Sequence, residues 1–77
     1  MDIHLTTMKE ALTELNKIKF NIVWFKVYNT SIEVQLCKMD GKKYYISGKP
    51  IVYTFENLNL LRQFGNMLGN CKLQKVN

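Results

Sequence analysis

A small two-layer α+β domain is the fold this sequence predicts: an N-terminal helix, a four-stranded antiparallel meander and a C-terminal helix (α-β-β-β-β-α), with one sheet face open. Three observations predict it. Apolar residues recur at helical spacing from Leu5 to Ile18, alternate from Lys19 to Phe55, and return to helical spacing from Leu58 to Leu68. Turn-forming residues cut the alternating region at Asn29-Thr30, Asp40-Gly41 and Gly48-Lys49-Pro50. With 77 residues the chain makes one domain, 1–77, and its core is thin, because a chain this short buries only roughly 60% of its unfolded surface.

The first helix is expected over 3–17. Leu5, Met8, Leu12 and Leu15 form its apolar stripe, with Ala11 and Ile18 alongside. Asp2 could cap it; the box Thr7-x-x-Glu10 could instead start it later. Strands follow at 20–28, 31–38, 42–47 and 51–55. The last helix, 57–68, carries Leu58, Leu61, Phe64 and Leu68, holds Gly65 inside it and ends in a Gly69-Asn70 C-cap. The tail CKLQKVN alternates, as a frayed end or an added strand.

The turns set the register, and a one-residue slip would exchange the two faces. With Asn29-Thr30 at the first tip, Val27 faces Ile32, Phe25 faces Val34, Val23 faces Leu36, and Lys26 meets Glu33 on the other side. A two-residue Asp40-Gly41 turn would set Lys38 against Lys43. A three-residue loop Met39-Asp40-Gly41, with Gly41 left-handed in a bulge, pairs Leu36 with Tyr44 and Val34 with Ile46 instead. Gly48-Lys49 then pairs Ile46 with Ile51 and Tyr44 with Tyr53. One face becomes wholly apolar: Val23, Phe25, Val27, Ile32, Val34, Leu36, Tyr44, Ile46, Ile51, Tyr53 and Phe55. Both helices would cover it. The opposite face carries Trp24, Gln35, Tyr45 and Val52 in one row and Ile22, Cys37, Lys43 and Thr54 in the next, with Phe20 and Tyr28 at the ends of the 20–28 strand.

Composition narrows the function classes. Eleven basic residues against six acidic ones give a net charge of +5, and Arg62 is the only arginine. Lysine attracts phosphate but lacks the planar fork that reads guanine, so the balance argues against sequence-specific readout. The longest apolar run, Ile22-Val23-Trp24-Phe25, is far too short for a membrane helix, and the start MDIHLTTMKE has no signal-peptide pattern. Two cysteines, Cys37 and Cys71, make no disulfide framework, which points to a reduced, cytoplasmic setting.

No catalytic motif, phosphate loop, CxxC pair or carboxylate pair occurs, and the lone His4 has no acidic partner at a useful spacing. The expectation is therefore a non-enzyme with no metal, no cofactor and no small-molecule substrate. Phe20, Ile22, Trp24, Tyr28, Tyr45 and Val52 form the expected partner surface, since exposed apolar patches mark interaction sites and Trp and Tyr dominate their energetics. The competing reading is that the tail folds back over this patch through Leu73 and Val76. The alternative function is sequence-independent nucleic-acid binding, with Trp24 and Tyr45 as stacking platforms and Lys26, Lys38, Lys42, Lys43 and Lys49 along the backbone; Glu33 in the middle of the face opposes it.

The helix–strands–helix order resembles a double-stranded-RNA-binding domain. The first turn of the last helix, however, reads ENLNLLRQ rather than a lysine cluster, and there is an extra strand, so that function is not carried over. Small, motif-free chains of this kind are often phage or mobile-element accessory proteins that block a host protein. Protein–protein association, as a homodimer or as such an inhibitor, is the leading expectation.

Overall fold

Thr7 settles where the first helix starts. Its hydroxyl accepts from the Glu10 N–H at 3.2 Å, and the Glu10 carboxylate accepts from the Thr7 N–H at 3.3 Å, closing the capping box. The same carboxylate accepts from the Thr6 hydroxyl at 2.6 Å and the Thr6 N–H at 2.8 Å. Those Thr6 bonds favour the charged form and hold the Glu10 carboxyl below its usual range. Helix α1 thus spans Met8–Ile18, and the expected start at residue 3 is corrected. The freed segment Asp2–Leu5 is a strand, β1. Leu5 fits both periods, in phase with Met8 and Leu12 but buried on the sheet.

The computed structural model describes the backbone of residues 1–46 and 48–76, and their side chains except at 39 and 72–76. After α1 come β2 (Ile22–Val27), β3 (Ser31–Asp40), β4 (Lys43–Ile46), β5 (Ile51–Phe55) and α2 (Leu58–Val76). The sheet is mixed and five-stranded in the order β1-β5-β3-β2, with β1 parallel to β5 and β4 paired to β3 off that path. The architecture is α+β as expected. The expected α-β-β-β-β-α antiparallel meander is replaced by β-α-β-β-β-β-α, because β1 adds parallel to β5.

Both helices pack on one side of the sheet. Ala11, Leu15 and Ile18 of α1 and Leu60, Leu61, Phe64 and Leu68 of α2 join Leu5, Ile22, Ile32, Val34 and Tyr53 in one core. The Phe64 ring lies 5.0 Å from Tyr53 and 5.5 Å from Phe55, centroid to centroid. The Tyr53 hydroxyl donates to Glu14 at 3.4 Å. Burial, then the Glu14 charge, pushes the Tyr53 phenol well above its ordinary value.

Helix α2 starts behind Asn57, whose side-chain oxygen accepts from the Leu60 N–H at 2.8 Å. It runs through Gly69 to Val76, so the expected C-cap is corrected. A glycine C-cap needs a left-handed residue, and the positive-φ residues among those described are Gly41 and Gly48. Burial of Cys71 beyond Gly69 holds the extra turn. Residues 72–76 continue the helix; the side chains of Leu73 and Val76, invoked as a cover for the open face, lie outside the described residues.

Three register expectations change. Over β2–β3, Val27–Ile32, Lys26–Glu33, Phe25–Val34 and Trp24–Gln35 pair as expected. A bulge between Ile22 and Trp24 then sets Ile22, not Val23, opposite Leu36. Ile22 is 1% exposed and belongs to the core, not to the open face. At the next turn Asp40 pairs with Lys43, leaving Gly41-Lys42 as the tip, with Gly41 at φ +64. Glycine at the first central position of a two-residue hairpin loop supplies that positive φ without steric cost. This register places Lys38 opposite Tyr45 and Asp40 opposite Lys43, avoiding the Lys38–Lys43 pairing of like charges. Consequently Leu36–Tyr44 and Val34–Ile46 do not pair, and Tyr44 and Ile46 leave the core.

The Gly48-Lys49 hairpin does not form. β4 and β5 lie one after the other along β3, through Cys37–Ile46 and Val34–Ile51. The spacing is three residues on β3 and five on the other side, so the connection carries a two-residue insertion. Gly48 at φ +67 turns it, and Gln35 Nε2 donates to Gly48 O at 3.2 Å and to Leu36 O at 3.0 Å.

Candidate binding surfaces

Alternation along β3 fixes what the helix-free face carries. Ile32, Val34 and Leu36 point to the core, so Ser31, Glu33 and Gln35 point away from it. One row across the sheet reads Asp2, Val52, Glu33, Lys26; its neighbour reads His4, Thr54, Ser31; Trp24 lies beside Gln35. Trp24 and Val52 are half-buried. The Lys26 ammonium sits 5.3 Å from the Trp24 ring centroid, a cation–π contact. Tyr28 is exposed and its hydroxyl donates to Glu33 at 3.5 Å. Phe20, 70% exposed in the turn after α1, has the Lys19 ammonium 5.0 Å from its ring centroid. Gln35 is buried at 5% exposure, with the loop through Gly48 folded onto it.

The distal half of β3 and β4 form a two-stranded arm. Every residue of β4 is exposed, and β4 makes its substantial contacts with β3 alone. Face assignment follows from register. Tyr45 pairs with Lys38, on the side of β3 that continues Leu36; Ile46 pairs with Cys37, on the side that continues Gln35 and Trp24. Tyr45 and Trp24 therefore lie on opposite faces, correcting their expected common row. Tyr44 and Ile46, 60% and 56% exposed, are on the same face as Trp24. The signal for this was in the sequence: the Asp40–Lys43 pairing is the register that matches opposite charges.

Lys38, Lys42, Lys43 and Lys49 are all exposed on or beside the arm. Among the described residues none of these four makes a side-chain hydrogen bond or ion pair, whereas Lys17 binds Glu14 at 3.1 Å. Lys26 lies apart from them, opposite Glu33.

His4 has partners that sequence spacing could not reveal. Its Nδ1 lies 2.8 Å from Thr54 Oγ1 and its Nε2 lies 3.2 Å from Glu56 Oε2, across 50 and 52 residues. With Nε2 protonated, Thr54 donates to Nδ1 and the imidazole donates to Glu56. The order hydroxyl–imidazole–carboxylate is that of a hydrolytic triad, but a nucleophile needs preorganised donors in a site closed to water. Here the His4 and Glu56 side chains are more than half exposed, and the chain of bonds clips β1 to β5. A cleft of about 310 Å³ between β1 and α1 is lined by His4, Lys9, Glu10 and Glu14, and by neither Thr54 nor Glu56. A second, of about 340 Å³, lies between Val27 and the Leu61–Asn66 stretch of α2.

Both cysteines are buried and neither is in a disulfide. Among the described residues no group of three or more His, Cys, Asp and Glu could hold a metal ion, and no helix is long and apolar enough to cross a membrane. Comparison with protein-family models, with curated proteins and with solved structures finds no match in any of the three.

Proposed function

We propose that this protein is a non-enzymatic binding module that associates with another protein, a second copy of itself or a target that it blocks. The surface is the helix-free face around Trp24, extended by the arm. One observation carries the reading: Tyr44 and Ile46, more than half exposed, stand on the same side as Trp24. Exposed apolar groups rimmed by polar ones mark association surfaces, and aromatic anchors carry most of their energy. Phe20, Tyr28 and Val52 complete the surface; Ile22, as a core residue, and Tyr45, on the opposite face, are not part of it. The rim charges, Asp2 and Glu33 with Lys26, would set orientation more than affinity.

Sedimentation equilibrium of the purified chain, beside capture from nuclease-treated lysate, tests this. Trp24→Ala should weaken association by about 2 kcal/mol or more while the monomer stays folded. Tyr44→Ala should weaken it too. The reading fails if the parent neither self-associates nor captures a protein, or if both variants associate as well as the parent.

A further inference from the structure

The other face of the arm has a chemistry that protein association leaves unused. Lys38 and Tyr45 are cross-strand partners, Lys43 follows on the same face opposite Asp40, and Lys42 is at the tip. From residue 38 to 49 there are four lysines and one acid, giving 4 − 1 = +3 of the chain's +5. Among the described residues these lysine ammonium groups have no partner, so no internal ion pair must be broken before they meet an anion. The sheet body is different: Asp2, Glu33 and Glu56 lie on or at the rim of its open face, where a polyanion would be repelled. Tyr45, about half exposed, supplies a flat ring between the charges.

We propose that this face of the arm binds single-stranded nucleic acid, with Lys38, Lys42 and Lys43 on successive phosphates and one base stacked on Tyr45. Basic side chains tracking a backbone beside an aromatic platform are how single strands are held without sequence preference. The ribbon spans roughly 10 Å between its first and last pairs, and the long, flexible lysine stems extend that reach to neighbouring phosphates of a single strand. The arm has no arginine, asparagine or glutamine to read base edges, so binding is blind to sequence. This proposal is independent of the protein-association surface, which lies on the opposite side of the ribbon.

The test is fluorescence anisotropy of the full chain with a labelled oligothymidylate of about 12 nucleotides. Three phosphate contacts give a slope near −2 in log affinity against log salt, a loss of roughly 15-fold between about 50 and 200 mM salt. Lys38→Gln with Lys43→Gln should cut that loss to roughly threefold, and Tyr45→Leu should weaken binding about tenfold. Trp24→Ala should leave it unchanged, which separates failure here from failure of the association surface. Circular dichroism melts matching the parent confirm that these exposed changes leave the fold intact. The proposal is overturned if no anisotropy change is seen, if affinity is independent of salt or of the two lysines, or if a duplex or polyglutamate of equal length competes as well as the single strand. The last result would assign the arm to acidic surfaces in general.

Discussion

Over Ile32–Val34, β3 has a partner strand on each edge and its Ile32 and Val34 side chains are sealed under the helices; over Cys37–Asp40 the same strand pairs with β4, and Tyr44, Tyr45 and Ile46 are all exposed. The chain spends β-branched and aromatic residues on both halves. The difference is what lies beneath: α2 packs under β2, β3 and β5, and not appreciably under β4. Apolar burial stabilises the first half by roughly 25 cal/mol per Å² removed from water. The second half lacks that term. Its apolar groups stay exposed, and on the proposed reading it is these that serve association, so that body and arm would divide stability from binding within a single strand.

The largest test of this division compares like residues. Ile32→Ala or Ile22→Ala should cost about 2–5 kcal/mol, since each leaves a cavity in a sealed core. In a domain of this size every kilocalorie lowers the melting temperature by roughly 4–8 °C. The Ile22 variant is the sharper one. If it melts like the parent while Trp24→Ala melts early, the bulge that turns Ile22 inward is wrong.

Gly41→Val should act on the arm alone. Its φ of +64 lies where a β-branched residue is strained by about 1–3 kcal/mol, although no heavy atom stands within 4 Å of an added Cβ. Hydrogen exchange at Lys38 and Tyr45 should speed up while protection at Ile32 and Val34 holds. Equal loss in both regions would mean that arm and body unfold as one unit.

In the body, Thr7→Ala should remove the cap of α1 and cost about 1 kcal/mol, read by thermal melts. Alkaline titration probes the core from another side. Because the Tyr53 phenol is raised in the folded state, its contribution is present below the unfolded value near 10 and is lost as pH rises beyond it. Tyr53→Phe should therefore flatten the fall of melting temperature above about pH 10, an effect the parent shows in full. An unchanged alkaline slope would place the ring outside the core.

The smallest expected effect completes the comparison. Ile46→Ala in the arm should change the stability of the monomer by no more than about 0.5 kcal/mol, as for exposed positions generally, while weakening association. A cost like that of Ile32→Ala would show that the arm is packed in solution and would remove it from the binding surface.

Much of the body could be read directly from local pattern. The Thr7-Glu10 box, the four antiparallel strand segments, the Val27–Ile32 to Trp24–Gln35 register and the Leu61, Phe64, Leu68 stripe each follow from short-range periodicity and turn chemistry. Trp24 and Val52 on the helix-free face followed from the same alternation, and the exposure of Lys38, Lys42 and Lys49 from the turns; Lys43, expected on the helix-free face, lies on the opposite side with Tyr45, because the Asp40–Lys43 pairing shifts the register. Partners far apart in sequence did not. The parallel pairing of β1 with β5, the His4–Thr54–Glu56 chain and the in-line passage of β4 into β5 join residues that no local period relates. The bulge at Ile22 and the continuation of α2 through Gly69 were decided the same way, since burying Ile22 and Cys71 in a shared core outweighs strict alternation and a glycine's preference. Between Thr7 and Leu68, sequence alone determined which segments extend, which coil and which positions alternate. Only the assembled core decided which alternating side is inside, because that depends on where the helices lie, and they stop short of the arm.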